Sequence, residues 1–359
     1  MRARFLINLS MTLGASIALS QLFGEGDVQS RISALELEMQ MVRTETANGN
    51  FGAKTASANP QVDSYGWYAT ADFLWWNLYE GGTDYVFTDR ETPGSAPYKG
   101  KLKHLDFDWN PGFRVGIGYQ LDEHDGWDGY LNFTWYQTDA SNSKSAHGEH
   151  ALITADGLVT SLNLNKAHAH WNVTFYNLYL ELGRNFFVSK FLSLRPAFGV
   201  VTTWFNQNRR IRYVVDSPYL KLNIHGHNDF WGIGPRAGLT GEWFLGEHFG
   251  LFGSATGALL WGTFDVHEEE HSSADGKIYD LDFDTHHFSP MLGFQLGIAY
   301  DVNFHNNQNH FGIKLTYENQ YWWRQNQFPN FSGSPSLYWE HDSEDLSMQG
   351  LTVDFRFDF

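Results

Sequence analysis

His267-Glu268-Glu269-Glu270-His271 has the H-E-x-x-H spacing of zinc hydrolases. That motif works because a helix brings positions i and i+4 onto one face, with the Glu beside a metal-bound water. The surroundings supply no such helix. The segment follows a β-patterned run, opens the long acidic stretch that contains Ser272-Ser273-Ala274-Asp275-Gly276, and has no third ligand at a recognisable spacing. No metal centre is therefore assigned. His267 and His271, with His286 and His287 nearby, stand only as loop candidates for adventitious divalent-metal binding. His168, His170, His225 and His227 add further imidazoles, yet no set of nucleophile, base and orienting acid can be picked out by spacing. The chain is expected not to be an enzyme, with a hydrolase carrying its site on a rim of the fold kept as an alternative.

A second group of reactive side chains follows a rule. Asp72, Arg114, Glu181, Arg195, Arg236, Glu242, Asp301, Lys314, Glu318, Asp354 and Arg356 each interrupt an apolar run at the parity opposite to its hydrophobic residues. Five are basic and six acidic. Such a set can fill a closed barrel with ion pairs or form the charged wall of a narrow water-filled pore. These eleven are the candidate pore-lining residues.

The elements that position them are strands. From Gly350 to the end, Leu351, Val353, Phe355, Phe357 and Phe359 alternate with Thr352, Asp354, Arg356 and Asp358. A strand has a side-chain period of two, so one face is apolar and the other polar. From Tyr65 onward ten segments repeat this pattern, among them Trp67–Trp75, Phe113–Leu121, Leu292–Val302 and Phe311–Trp323. The segment His170–Phe187 inverts its phase in its first half, and Phe249–Val266 is apolar or small on both faces. Short turns at Asp122–Gly126, Ser189, Gly246–His248 and Asn303–Asn309 alternate with polar stretches at Tyr79–Leu105, Asp139–Ala169, Asn206–Asn228, His267–His287 and Gln325–Asp345. Strict short-long alternation predicts an all-β transmembrane antiparallel up-and-down β-barrel of about ten strands (twelve if the long stretches hide a hairpin), with periplasmic turns, extracellular loops and both termini periplasmic. Trp67, Trp75, Trp127, Trp135, Trp204, Trp243, Trp261, Trp322 and Trp323 fall near strand ends, where interfacial girdles belong.

Bulk properties agree with a barrel. Beyond the N-terminus no window of 18 residues is apolar enough for a transmembrane helix, and the mean hydropathy of −0.39 suits a chain in which only alternate residues face lipid. Cys is absent, so no disulfide or thiolate metal site is available. A formal net charge of −17 argues against nucleic acid as a partner. Residues 1–20 read as a signal peptide, with Arg2 and Arg4 before a short apolar run and Ala18-Leu19-Ser20 as the cleavage site. In the segment 21–64, Val28, Ile32, Leu35, Met39 and Val42 make an a/d seam for a short periplasmic helix and candidate homo-oligomer contact, followed by a polar linker. Residues 65–359 form the barrel domain.

Several strand-marking segments resemble one family. Ala71-Asp72-Phe73-Leu74-Trp75-Trp76, Trp109-Asn110-Pro111-Gly112-Phe113-Arg114-Val115-Gly116, Gly232-Ile233-Gly234-Pro235-Arg236-Ala237-Gly238-Leu239, Tyr317-Glu318-Asn319-Gln320-Tyr321-Trp322-Trp323 and Gly350-Leu351-Thr352-Val353 look like the Legionella-type major outer membrane protein family, which has relatives in Chlamydia-related bacteria. The resemblance covers nearly the whole processed chain and implies a pore-forming, oligomeric barrel for small hydrophilic solutes; no cofactor is expected. Members that carry cysteines can be cross-linked in the envelope, which this chain cannot. The expected function is an outer-membrane porin with mild cation selectivity at an acidic mouth, in contact with outer-membrane lipid and lipopolysaccharide. A surface adhesin or structural envelope protein is the alternative.

Overall fold

The computed structural model describes residues 33–35, 66–89, 99–121, 127–146, 151–155, 164–189, 191–216, 219–246, 248–304, 309–332, 338–340 and 343–359. The signal peptide 1–20, the linker 44–64 and, apart from the helical residues 33–35, the helix expected over Val28–Val42 lie outside the described residues.

The period-two segments become ten long antiparallel strands: β1 (Trp67–Glu80), β2 (Asn110–Gln120), β3 (Trp127–Ser145), β4 (Leu164–Arg184), β5 (Leu192–Asp216), β6 (Tyr219–Phe244), β7 (Phe249–Ser272), β8 (Gly276–Phe304), β9 (Asn309–Asn326) and β10 (Glu344–Asp358). Each pairs with its neighbours in sequence, and β10 pairs back onto β1 from Tyr68↔Asp358 to Glu80↔Leu346. At the level where all ten strands pair, the sheet is a closed ring with no free edge, the arrangement that satisfies backbone groups without water, whereas the distal part of β8 before Met291 pairs with β7 alone. Shorter strands at Val86–Asp89, Gly100–Lys103 and Ala151–Thr154 form a small sheet against β4. Trp67 and Phe359 stand together at one end, the terminal rim. The opposite end is the distal rim.

The strands are unequal. β2 has 11 residues, whereas β5, β6, β7 and β8 have 25, 26, 24 and 29. About 9–11 tilted residues cross a bilayer, so the long hairpins continue well beyond it at the distal rim. The polar stretches Asn206–Asn228 and His267–His287, expected as loops, are therefore largely strand, as are Asp139–Ser145 and Leu164–Ala169. Backbone pairing does not depend on apolar side chains. Once the wall leaves lipid, its outer face turns polar while the period of two persists. The β7–β8 hairpin closes at Gly276, whose φ of +79° favours a residue without Cβ.

The outward parity of the bilayer section is apolar and exposed: Phe73, Trp75, Val115, Ile117, Leu180, Val200, Leu239, Leu296, Ile298 and Leu351 lie on it. An apolar belt this continuous fits lipid rather than water. The inward parity has two layers. Along β1 it runs Tyr68, Thr70 and Asp72 near the terminal rim, then Leu74, Trp76 and Leu78 toward the distal rim. Along β4 it runs Glu181, Tyr179 and Asn177, then Phe175, Val173 and Trp171. The apolar layer explains both anomalies of the sequence. The phase inversion of the β4 segment marks the level where the apolar face changes from lipid to core. β7 is apolar on both faces because Leu259 and Trp261 point out while Leu260 and Phe264 point in. One girdle expectation is corrected: Trp322 points inward and is fully buried.

Candidate functional site

The terminal side of the lumen holds a cavity of about 200 Å³. Strand alternation turns nine of the eleven candidate residues to its wall: Asp72, Arg114, Glu181, Arg195, Arg236, Lys314, Glu318, Asp354 and Arg356. Glu242 and Asp301 face inward nearer the terminal rim, outside the cavity lining. Most of these charges are held by partners across strands. Arg114 donates from Nη1 to Asp72 Oδ2 at 3.1 Å, from Nη2 to Glu318 Oε1 at 2.9 Å and from Nε to Thr134 Oγ1 at 3.1 Å. Arg195 grips Asp128 with Nε and Nη2 at 2.9 and 2.6 Å and reaches Glu181 Oε1 at 2.8 Å. Glu181 also accepts from Arg236, whose guanidinium lies 4.1 Å from the Tyr179 ring centroid. Forked guanidinium contacts of this kind fix geometry as well as charge.

At the terminal rim His310 bridges Asp301 and Asp358 at 2.9 and 2.7 Å, and Arg356 pairs with Asp358 while stacking 4.0 Å from the Tyr68 ring centroid. Asp128 and His310 carry no clear signal in the sequence because each lies at a strand end, where alternation no longer distinguishes lumen from turn, whereas Asp358 shares the polar parity of Asp354 and Arg356. Lys314 sits 4.5 Å from the Phe252 ring centroid.

On the distal side the cavity meets an aromatic seal. Trp76, Tyr136, Phe175, Phe205, Phe230, Phe264, Trp322 and Met348 come from eight strands, and each is buried to 2% exposure or less. Trp322 on β9 meets Phe175 on β4 at a centroid separation of 5.8 Å, and Phe205 on β5 at 5.2 Å. β9 and β4 stand five positions apart in a ring of ten, so this contact spans the barrel. Phe230 fits between Gly232 and Gly262, where a Cβ would come within 2.5 and 2.1 Å of its ring.

The chain itself completes the seal. At Arg324, a non-glycine residue with φ of +59°, β9 turns inward. The Arg324 amide donates to Asp345 Oδ1 at 2.9 Å, and Gln327 Nε2 donates back to the Arg324 carbonyl at 2.8 Å. Gln325, Asn326, Gln327 and Phe328 follow, all buried. The Gln325 carbonyl accepts from Asn228 at 2.8 Å and Gln207 at 3.2 Å. Phe328 lies edge-on to Trp171 at 5.2 Å and under Arg209 at 4.3 Å, with Arg209 paired to Glu268. The sequence places this plug at the start of the polar stretch Gln325–Asp345. Its one sequence signal is a Phe placed directly after the Gln325-Asn326-Gln327 run.

His267 and His271 lie on β7, not on a helix or loop. Four strand residues separate them by about 13 Å, so the H-E-x-x-H pair cannot hold one ion. His267 instead meets the neighbouring strand: its Nδ1 is 2.6 Å from Asp282 Oδ1 and 3.8 Å from Asp280 Oδ1. Ligand atoms of His267, Glu269 and Asp280 lie within 4.8 Å of one another. Hydrogen bonds from Lys277 hold the Glu269 and Asp280 carboxyls below their ordinary range, and the same bonds raise the Lys277 ammonium.

Compared with known proteins, the chain matches the family described as Legionella pneumophila major outer membrane protein precursor over residues 59–359. No curated protein matches. Among solved structures, the outer membrane protease OmpT from Escherichia coli aligns at 9% identity and a TM-score of 0.39, over 84% of this chain and 99% of that one. The toluene transporter TodX of P. putida aligns at 9% identity and 0.31, over 83% and 91%. Ail, the attachment invasion locus protein of Yersinia pestis, aligns at 11% identity and 0.25, over 82% and 99%. The family match takes in all ten barrel strands and their lumen-facing charges, and the chain therefore belongs to the Legionella major outer membrane protein family of bacterial outer-membrane β-barrels.

Proposed function

We propose that the barrel is a porin for small hydrophilic solutes, and that it conducts when Trp322 and the plug at Gln325–Phe328 withdraw together. The observation that carries this reading is the charged cavity in the bilayer section. Nine charged side chains line it, and a purely structural barrel has no need of them, since apolar residues of similar volume are often as stable as buried ion pairs. The terminal rim is assigned to the periplasm, and the distal hairpins face outward toward lipopolysaccharide. An acidic mouth, fed by a net charge of −17, enriches cations and gives mild cation selectivity. No reaction and no cofactor are assigned, and the segment Val28–Val42 is proposed as a homo-oligomer contact.

One observation favours a second reading, that of a closed envelope protein or adhesin: Trp322 touches Phe175 across the lumen. Planar-bilayer recording separates the two. The refolded chain is compared with a variant in which Trp322 is replaced by Ala and Gln325–Phe328 by Gly-Ser residues. Discrete ohmic steps, larger or more frequent in the variant, are expected. Silence from both proteins would end the porin reading and leave the envelope role.

A further inference from the structure

The outer wall of the distal hairpins carries a feature that solute diffusion does not use. On the lipid-facing parity of β6, β7 and β8, the rows beyond the bilayer are set by strand register. Asp229, Asp265 and Asp284 pair in one row, His227, His267 and Asp282 in the next, and His225, Glu269 and Asp280 in the third. Neighbouring strands bring the side chains of a row to about 5 Å, and the contacts follow. His225 Nδ1 is 3.9 Å from Glu269 Oε1, and the His227 and His267 rings stack at 6.3 Å.

We propose that this wall is a binding site for a divalent transition metal of the zinc class, with His267, Glu269 and Asp280 as its ligands. The donor set selects the ion class. Imidazole nitrogen with two carboxylates suits zinc and its first-row neighbours, whereas an all-oxygen set would suit calcium or magnesium. The three ligand atoms already lie within 4.8 Å. Zinc bonds of 2.0–2.2 Å put tetrahedral donors about 3.4 Å apart, a contraction within reach of partly exposed side chains. Asp282 Oδ1 lies 2.6 Å from His267 Nδ1, the same nitrogen that stands 3.8 Å from Asp280, so a metal bound at Nδ1 replaces this contact and meets Asp282 as a further carboxylate neighbour.

An internal cation opposes the metal. Lys277 Nζ stands 3.1 Å from Glu269 and 2.6 Å from Asp280, so it occupies two of the three ligands. Arg210, opposite His225, and Arg212, opposite Asn223, add positive charge from β5, while the Asp229–Asp265–Asp284 row offsets it. Zinc must displace the ammonium. That requirement separates a built site from diffuse attraction to acidic residues, because it predicts a gain of affinity from a mutation.

The test is calorimetric titration of the refolded full chain, in detergent micelles and chelator-free buffer, with zinc chloride. Wild type is expected to take one zinc ion. His267→Ala and Glu269→Gln should each weaken binding by at least about tenfold, and Lys277→Ala should tighten it. His286→Ala, two rows nearer the bilayer, should leave it unchanged. The proposal fails if wild type binds no zinc, if Lys277→Ala binds no tighter, or if His286→Ala weakens binding as much as His267→Ala. Because Lys277→Ala is read as a gain, a variant that misfolds cannot imitate success.

Discussion

Glu318 accepts hydrogen bonds from four side chains: Arg114 at 2.9 Å, Gln320 and Gln295 at 2.7 Å, and Thr352 at 3.1 Å. A buried carboxylate so surrounded is held in one position, and Arg114 with it. Removing one member of a buried ion pair is more damaging than never having the pair, because the partner stays charged and unsatisfied. Arg114→Ala is expected to destabilise the refolded barrel by about 3–5 kcal/mol, read as a lower denaturant midpoint. Arg114→Lys should fall between it and wild type, since an ammonium keeps the charge but cannot fork between Asp72 and Glu318. Equal midpoints for Ala and wild type would show that water rather than Arg114 satisfies these carboxylates.

Two elements at the distal rim have distinct energetics. The β9 plug depends on a backbone conformation that costs a non-glycine residue about 1–2 kcal/mol, offset by the Asp345 and Gln327 hydrogen bonds at Arg324. Trp322 supports it from below, so Trp322→Ala should cost about 3–5 kcal/mol by opening a cavity among Phe175 and Phe205. Under the porin proposal the same variant should also raise conductance. Stability loss without conductance would mean that the seal is structural. The β7–β8 hairpin is tied by Lys277 to Glu269 and Asp280. Both carboxyls titrate below their ordinary values because of Lys277. Their contribution is therefore complete above the ordinary carboxylate range and is lost as pH falls through the lowered values. Limited proteolysis at the Ser272–Gly276 turn should speed up on acidification in wild type, and far less in Lys277→Ala.

At the scale of the whole molecule, charge is distributed by zone. The cavity wall holds five basic and four acidic residues, while the complete chain carries −17. Cation preference, if the barrel conducts, must then arise at the mouths and not in the cavity. Mouth fields are screened over a Debye length of about 10 Å at 0.1 M salt and about 3 Å at 1 M. Reversal potentials should show cation selectivity that weakens as salt rises. Anion preference at low salt would refute the acidic-mouth idea, and salt-independent selectivity would move its origin to the cavity.

The sequence alone determines the wall of this protein. Alternation in Leu351–Phe359, the short-long rhythm of connections and the eleven opposite-parity charges are local or periodic features, and they predict a closed barrel of about ten strands with those charges on its inward parity. The same alternation cannot say what fills the lumen. Trp322 and Trp323 read alike as girdle residues, and the apolar first half of β4 reads only as a phase error, because parity separates two faces without naming what each one meets. Tertiary closure decides that. It sets Trp322 against Phe175 five strands away, folds Gln325–Phe328 into the opening, and turns His267 from a partner of His271 four residues along into a partner of Asp280 and Asp282 on the adjacent strand. These contacts join residues far apart in sequence, at distances fixed by barrel diameter and strand register, and neither quantity is carried by a local pattern.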